Sequence, residues 1–157
     1  LIFHSNDLEK YFERIGWLKN GAKNAFIPPE VLLSKSNIVS AFLRGLFEGD
    51  GTIHPDGYPI LVSISEQLIS EVQQVLLGLK IISKITKKSG ILLKEKYNHK
   101  GSNDLYILRI FTDRSIEKFK KEIDFISKRK KGNFDKTKLD NYLSLSKISK
   151  KQMKIQR

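Results

Sequence analysis

The sequence has no cysteine, a single tryptophan and a single methionine among its 157 residues. Without cysteine there is no disulfide and no thiolate metal site, and an intracellular setting is the expectation. Long apolar runs are missing as well. Nothing approaches the roughly 18–20 residues that cross a bilayer, and no charged stretch followed by an apolar one marks the start. Acids are scarce: 17 Asp and Glu face 29 Lys and Arg, for a formal charge of +12 and a pI near 9.8. A field of that sign gathers polyanions, nucleic acid foremost. An acidic membrane surface is the rival partner, but no basic amphipathic helix with a broad exposed apolar face stands out, so none is expected. Internal repeats and low-complexity tracts are absent too.

What is present suits one folded domain. With 39% hydrophobic against 29% charged residues the chain is globular rather than disordered. Residues 7–15 read as a short helix with Leu8, Tyr11, Phe12 and Ile15 on one face, closed by Gly16. Pro28-Pro29 then break the chain. A second helix is expected from Ser36 to Gly49, its apolar positions Ile38, Ala41, Phe42, Gly45 and Leu46 following the 3.6 period. Thr52–His54 and Tyr58–Ser65 read as strands joined by Pro55-Asp56-Gly57. Ser65 is placed to cap a helix bearing Leu68, Val72, Val75, Leu76 and Leu79.

Strands are expected again at Ile81–Lys88, Ile91–Tyr97 and Leu105–Phe111, the last with Tyr106, Leu108 and Ile110 on one face. A helix at Ser115–Ile126 turns Ile116, Phe119, Ile123 and Ile126 inward; a weaker one follows at Asp135–Ser146 and a frayed tail from Lys147. The order predicts an α+β fold: an antiparallel sheet with helices on one face and polar, basic residues on the other.

The chemistry concentrates at Ala41-Phe-Leu-Arg-Gly-Leu-Phe-Glu-Gly-Asp-Gly51. Ala41, Gly45 and Gly49 recur every four residues, a small-residue seam that lets a second backbone approach closely. Glu48 and Asp50 then put two acids where the helix dipole is already negative, and Gly51 can take the left-handed cap. A hard divalent cation held by Asp50 and a backbone carbonyl freed at the helix end would relieve that conflict. An Asp-Gly that simply stops a helix is the blander reading.

Leu43-Arg44-Gly45-Leu46-Phe47-Glu48-Gly49-Asp50-Gly51 resembles the LAGLIDADG motif of homing endonucleases, and Phe42 with the Leu-Phe-Glu wording is similar to the intein-encoded branch. The likeness covers about Phe26–Lys131, taking in Ile27-Pro28, the hairpin, Leu68–Leu79, Tyr106–Ile110 and Phe119 to Phe125. It implies a saddle-shaped sheet on duplex DNA and two motif helices packed at Ala41, Gly45 and Gly49. It implies Mg2+ or Mn2+ held by the Asp50 carboxylate and the Gly49 carbonyl. Glu48 at the sixth motif position, commonly Asp, is a mild departure. Members often carry a lysine near the metal water, and Lys84 and Arg114 are the candidates here.

On this resemblance residues 1–30 are the end of a preceding repeat or a linker, 31–131 the endonuclease domain, and 132–157 a basic helix and tail. One motif is only half of a site. The partner helix comes either from a missing half of a longer chain, as the start at Leu1 and the helix before Phe26 suggest, or from a homodimer mate. The open sheet face is assigned Thr52, His54, Ser63 and Ser65, then Lys84, Thr86, Lys88, Lys94, Lys96 and Arg109. Between Lys80 and Lys100 there are seven lysines and one acid, Glu95, which suits phosphates, though lysines also shield solvated strand edges. Lys128–Lys131 reads as a solvated turn or a contact to flanking phosphates. A regulator that binds DNA without cutting, an RNA-splicing maturase and an anion-binding structural protein are the competing classes.

Overall fold

The computed structural model describes residues 5–14, 21–91 and 103–132. A first helix, α1, spans Asn6–Arg14, with Tyr11 edge-on to Phe12. The Leu8 side chain and Ile15, assigned to its apolar face, lie outside the described residues. After a 3-10 turn at Ala22–Asn24 the chain enters the core through Ala25 and Ile27, ahead of the boundary expected at residue 31. Two hydrogen bonds hold this entry: Ser65 Oγ donates to the Ala25 carbonyl (2.6 Å), and the Ile27 N–H donates to Glu71 Oε2 (2.6 Å). Pro29 then opens the one-turn helix α2, Pro29–Leu32, where its fixed φ suits a first helical residue.

Helix α3 runs Ser36–Asp50 and carries two apolar stripes. Val39, Leu43 and Phe47 face inward and are buried, Leu43 and Phe47 completely. The stripe read from the sequence is the other one. Ile38, Ala41, Gly45 and Gly49 are exposed, with Phe42 and Leu46 half-buried beside the core. Both stripes satisfy the helical period; the bulkier one fills the core, because volume rather than periodicity decides which face is packed.

Strand β1 (Gly51–Ile53) follows α3 without an intervening residue and pairs with β2 (Pro59–Ser63). The turn between them closes with the Gly57 N–H donating to the His54 carbonyl (2.8 Å), Gly57 at φ 87°. Helix α4 (Glu66–Gly78) starts at Ser65, whose hydroxyl accepts from the Leu68 N–H (3.1 Å). It ends in a Schellman closure: Lys80 is left-handed, and the Ile81 N–H donates to the Leu76 carbonyl (2.8 Å). Strand β3 (Ser83–Lys88) and strand β4 (Leu105–Ile110) complete an antiparallel sheet in the order β1-β2-β4-β3. Helix α5 (Asp113–Glu122) packs back over it, capped by the Thr112 hydroxyl. Phe47, Leu61, Ile69, Leu108, Phe119 and Phe125 belong to one core between helices and sheet, with Phe47 and Phe119 edge-on at 4.8 Å.

The fold is α+β with the helices on one face, as the order of elements predicts. Two elements differ. Helix α5 stops at Glu122 instead of Ile126, because Asp124 turns left-handed (φ 57°) and sends Phe125 back into the core; Ile126, expected inward, is 58% exposed. The strand expected at Ile91–Tyr97 begins instead as helical backbone at residues 90–91, and the rest of it lies outside the described residues. The helix at Asp135–Ser146 and the tail also lie outside them. Among the described residues no helix is long and apolar enough to cross a membrane.

Candidate active site and nucleic-acid face

Asp50 is the last residue of α3 and is exposed. Among the described residues its carboxylate has no hydrogen bond or ion pair, and no cluster of three metal-ligating side chains forms around it. Gly51 does not take the left-handed cap expected of it: its backbone is extended (φ −88°, ψ 158°). It must be glycine for a different reason. A Cβ there would overlap the Phe47 carbonyl oxygen and lie 2.9 Å from the Phe47 Cα. The seam glycines are the opposite case, since a Cβ at Gly45 or Gly49 would meet nothing within 4 Å. The seam is thus open.

Behind the helix end lies a set of contacts that sequence reasoning missed. Glu48 Oε2 accepts from the backbone N–H groups of Ile126 (2.9 Å) and Ser127 (3.2 Å). Desolvation alone would raise the Glu48 pKa, but these N–H groups, the Ser127 hydroxyl and the Lys130 ammonium together lower it. Lys130 Nζ donates to the carbonyls of Glu48 (2.5 Å), Gly51 (2.7 Å) and Phe47 (3.2 Å). Lys130 is only 8% exposed, and residues 128–132 are helical, so the solvated turn expected at Lys128–Lys131 is corrected at this position. Arg44 Nε adds a bond to the Ile123 carbonyl. Little in the sequence signals the Lys130 contact, because the lysine meets backbone carbonyls, which any residue supplies. Its separation along the chain, 82 residues from Glu48 to Lys130, hides it.

The sheet face away from the helices is set by register. Thr52 pairs with Ile60, Ile60 with Arg109 and Arg109 with Lys84, so these four form one row across all strands. Val62, Ile107 and Thr86 form the next row, and Lys88 with Leu105 follows. Lys84 and Lys88 are exposed; Thr86 and Arg109 are half-buried. Lys84 and Arg109 stand directly opposite each other, neither has an ion pair among the described residues, and the buried Arg109 Nε lacks a hydrogen-bond partner. Two like charges in a cross-strand pair are unfavourable until an anion arrives.

Ser63 and Ser65 are not on this face. Ser63 shares the side of Leu61, which is fully buried, and its Oγ accepts from the Ser65 N–H (3.0 Å); Ser65 is itself fully buried as the α4 cap. The residues of β2 that share the face with Thr52 are Ile60 and Val62. The expectation assigned the polar residues outward, but the pleat follows Leu61. His54 sits at the hairpin tip, stacked on Tyr58 (4.4 Å between ring centres, 9° between planes), with Nδ1 accepting from the Asp56 N–H (3.2 Å). Lys94 and Lys96 lie outside the described residues.

Neither basic candidate for the metal water shares a strand or helix end with Asp50. Lys84 is on β3, the sheet edge opposite β1, roughly 14 Å away at about 4.8 Å per strand. Arg114 is exposed in the first turn of α5 and lines a cleft with Leu77, Lys80, Ile82 and Lys118. The lysine the structure brings to the helix end is Lys130. A further cation on the sheet is already committed: Lys87 pairs with Asp104 (2.8 Å), which raises the lysine pKa and lowers that of the acid.

Comparison with known proteins gives a match to the LAGLIDADG-like domain over residues 37–124, more than half the chain. Two curated proteins of Methanocaldococcus jannaschii are similar to it. A glutamine–fructose-6-phosphate aminotransferase is 29% identical over 124 residues, which cover 78% of this chain and 11% of that protein. An ATP-dependent DNA helicase is 32% identical over 123 residues, 76% of this chain and 10% of that protein. The chain therefore spans about a tenth of the length of each of these relatives.

Proposed function

Because this chain belongs to the LAGLIDADG-like domain family, we propose that it is one motif half of a site-specific, divalent-metal-dependent endonuclease that cuts double-stranded DNA, carried within an intein. The observation that carries the reading is the unpartnered Asp50 carboxylate at the end of a helix whose small-residue seam stands open. The donors at that end fit a hard cation such as Mg2+ or Mn2+: a free carboxylate and, beside it, the Gly49 carbonyl at a helix terminus. One carboxylate is half of a ligand set, so the second comes from another motif helix laid along Ala41, Gly45 and Gly49.

When bound, such a cation supplies Lewis-acid stabilisation of the charge that develops at a phosphodiester. The chain's own residues do the rest. Asp50 and Gly49 hold the ion, and the sheet face carries the duplex. The uncompensated Lys84–Arg109 pair meets phosphate, while Thr52, Thr86 and His54 lie beside the groove. The relatives support the insert: a similar segment makes up about a tenth of two proteins whose named activities have nothing in common.

The test is nicking of a plasmid library of randomised sites in Mg2+ by the full protein. Asp50→Asn, which keeps the shape and removes the charge, is expected to abolish nicking while duplex binding persists. A variant that cuts as well as its parent refutes the reading. A parent that binds duplex DNA in Mg2+ and never nicks it points to the binding-only regulator or maturase.

A further inference from the structure

We propose that Lys130 is a positioning residue for the metal-holding end of α3, fixing the backbone turn that presents the Asp50 carboxylate and the Gly49 carbonyl. This rests on the reading of Asp50 given above. Lys130 lies beyond the family match at 37–124, yet it reaches back into the heart of the motif.

A lysine ammonium has three protons to donate. Here they meet three carbonyls, those of Phe47, Glu48 and Gly51, which bracket Gly49 and Asp50 on both sides. Such buried lysines are rare, and the side chain is held by its surroundings, with Nζ 5.6 Å above the Phe125 ring. The carbonyls of a last helical turn lack intrahelical partners, and their dipoles sum to a negative end. Of the three here, the Glu48 carbonyl is one of these, the Phe47 carbonyl also accepts from the Gly51 N–H, and the Gly51 carbonyl belongs to the first residue of β1. Lys130 ties together the carbonyls on either side and leaves those of Gly49 and Asp50 unblocked. The contact is reciprocal: the Glu48 side chain caps the N–H groups of Ile126 and Ser127, and Ser127 Oγ in turn accepts from the Lys130 N–H (3.3 Å). The sixth motif position is therefore spent on holding the segment that delivers the lysine.

Charge and positioning predict opposite signs. An ammonium close to a divalent cation repels it, so charge alone makes Lys130→Met bind metal more tightly. Positioning makes the same variant bind more weakly, because Asp50 and Gly49 lose their fixed relation. Mn2+ binding to the full protein, followed by electron paramagnetic resonance with circular dichroism to verify the fold, separates them. Loss of an outer partner of a metal ligand commonly costs ~10–100-fold in affinity, and Lys130→Met is expected to lose about tenfold. Lys130→Arg keeps the charge and most of the stem, but a planar guanidinium does not converge on three carbonyls as an ammonium does; a loss of a few fold is expected. Parent-like or tighter Mn2+ binding in either folded variant overturns the proposal. Mn2+ binding that survives Asp50→Asn instead refutes the underlying reading of Asp50.

Discussion

Gly45→Ala should make the chain more stable by itself and worse at pairing. Gly45 lies inside the 15-residue helix α3, is exposed, and a Cβ there meets nothing within 4 Å. Within one chain the methyl group therefore costs no clash and removes glycine's backbone entropy, a gain of about 0.5–1 kcal/mol in a helix interior. Across the seam the sign reverses. Where a second backbone approaches, an added methyl overpacks the contact by about 1–3 kcal/mol, which is roughly a 5- to 150-fold loss in association. In a homodimer the methyl appears on both helices. Urea unfolding at high dilution reads the first effect, and sedimentation with a second motif half, or of the chain with itself, reads the second. A lower urea midpoint would mean that Gly45 is packed within the chain. Unchanged association would mean that the seam is not an interface.

Three other outcomes follow from the geometry. Gly51→Ala should destabilise the chain by about 1–3 kcal/mol in urea unfolding, because its Cβ collides with the Phe47 backbone and the β1 register leaves little room to yield. Lys84→Ala should lower the slope of log affinity against log salt by about 0.9 for duplex DNA, with little change in sequence preference; an unchanged slope would remove Lys84 from the phosphate contacts. Asp104 is held below its ordinary value of 3.8 by Lys87 and the Gly90 N–H, so its contribution is present above that pH and fades as pH falls through the lower folded value. The stability difference between parent and Asp104→Asn should accordingly be present at pH 6 and shrink on acidification below about 3.8. A difference that grew on acidification would reverse the assignment.

Where local chemistry decides, the sequence carried the answer. Pro55-Asp56-Gly57 makes the hairpin, Ser65 caps α4, and the nonapeptide ends a helix at Asp50. Where two local solutions were equally good, the packing of distant residues chose. The period of α3 fits Ile38-Ala41-Gly45 as well as Val39-Leu43-Phe47, and the bulk of the second, with Phe47 edge-on to the ring of Phe119, is what fills the core. Alternation in β2 fits either parity, and Leu61 in the core turned Ser63 inward. Lys130 was the least legible. A lysine in a run of basic residues has the composition of a solvated surface, and only the folded chain brings it to three carbonyls 79–83 residues away.

The direct junction of α3 to β1 at Asp50-Gly51 makes the molecule behave as a lever with no joint. If the seam takes a partner helix as proposed, an adjustment there reaches the strand that begins one residue later, and through the pairing of Gly51 with Leu61 the sheet. On the proposed reading, half-sites on DNA and the crossing of two helices are geared together. A substitution at the seam should shift the spacing of the sequence that is recognised, and a sheet redesigned for a new target inherits the helix geometry of the old one.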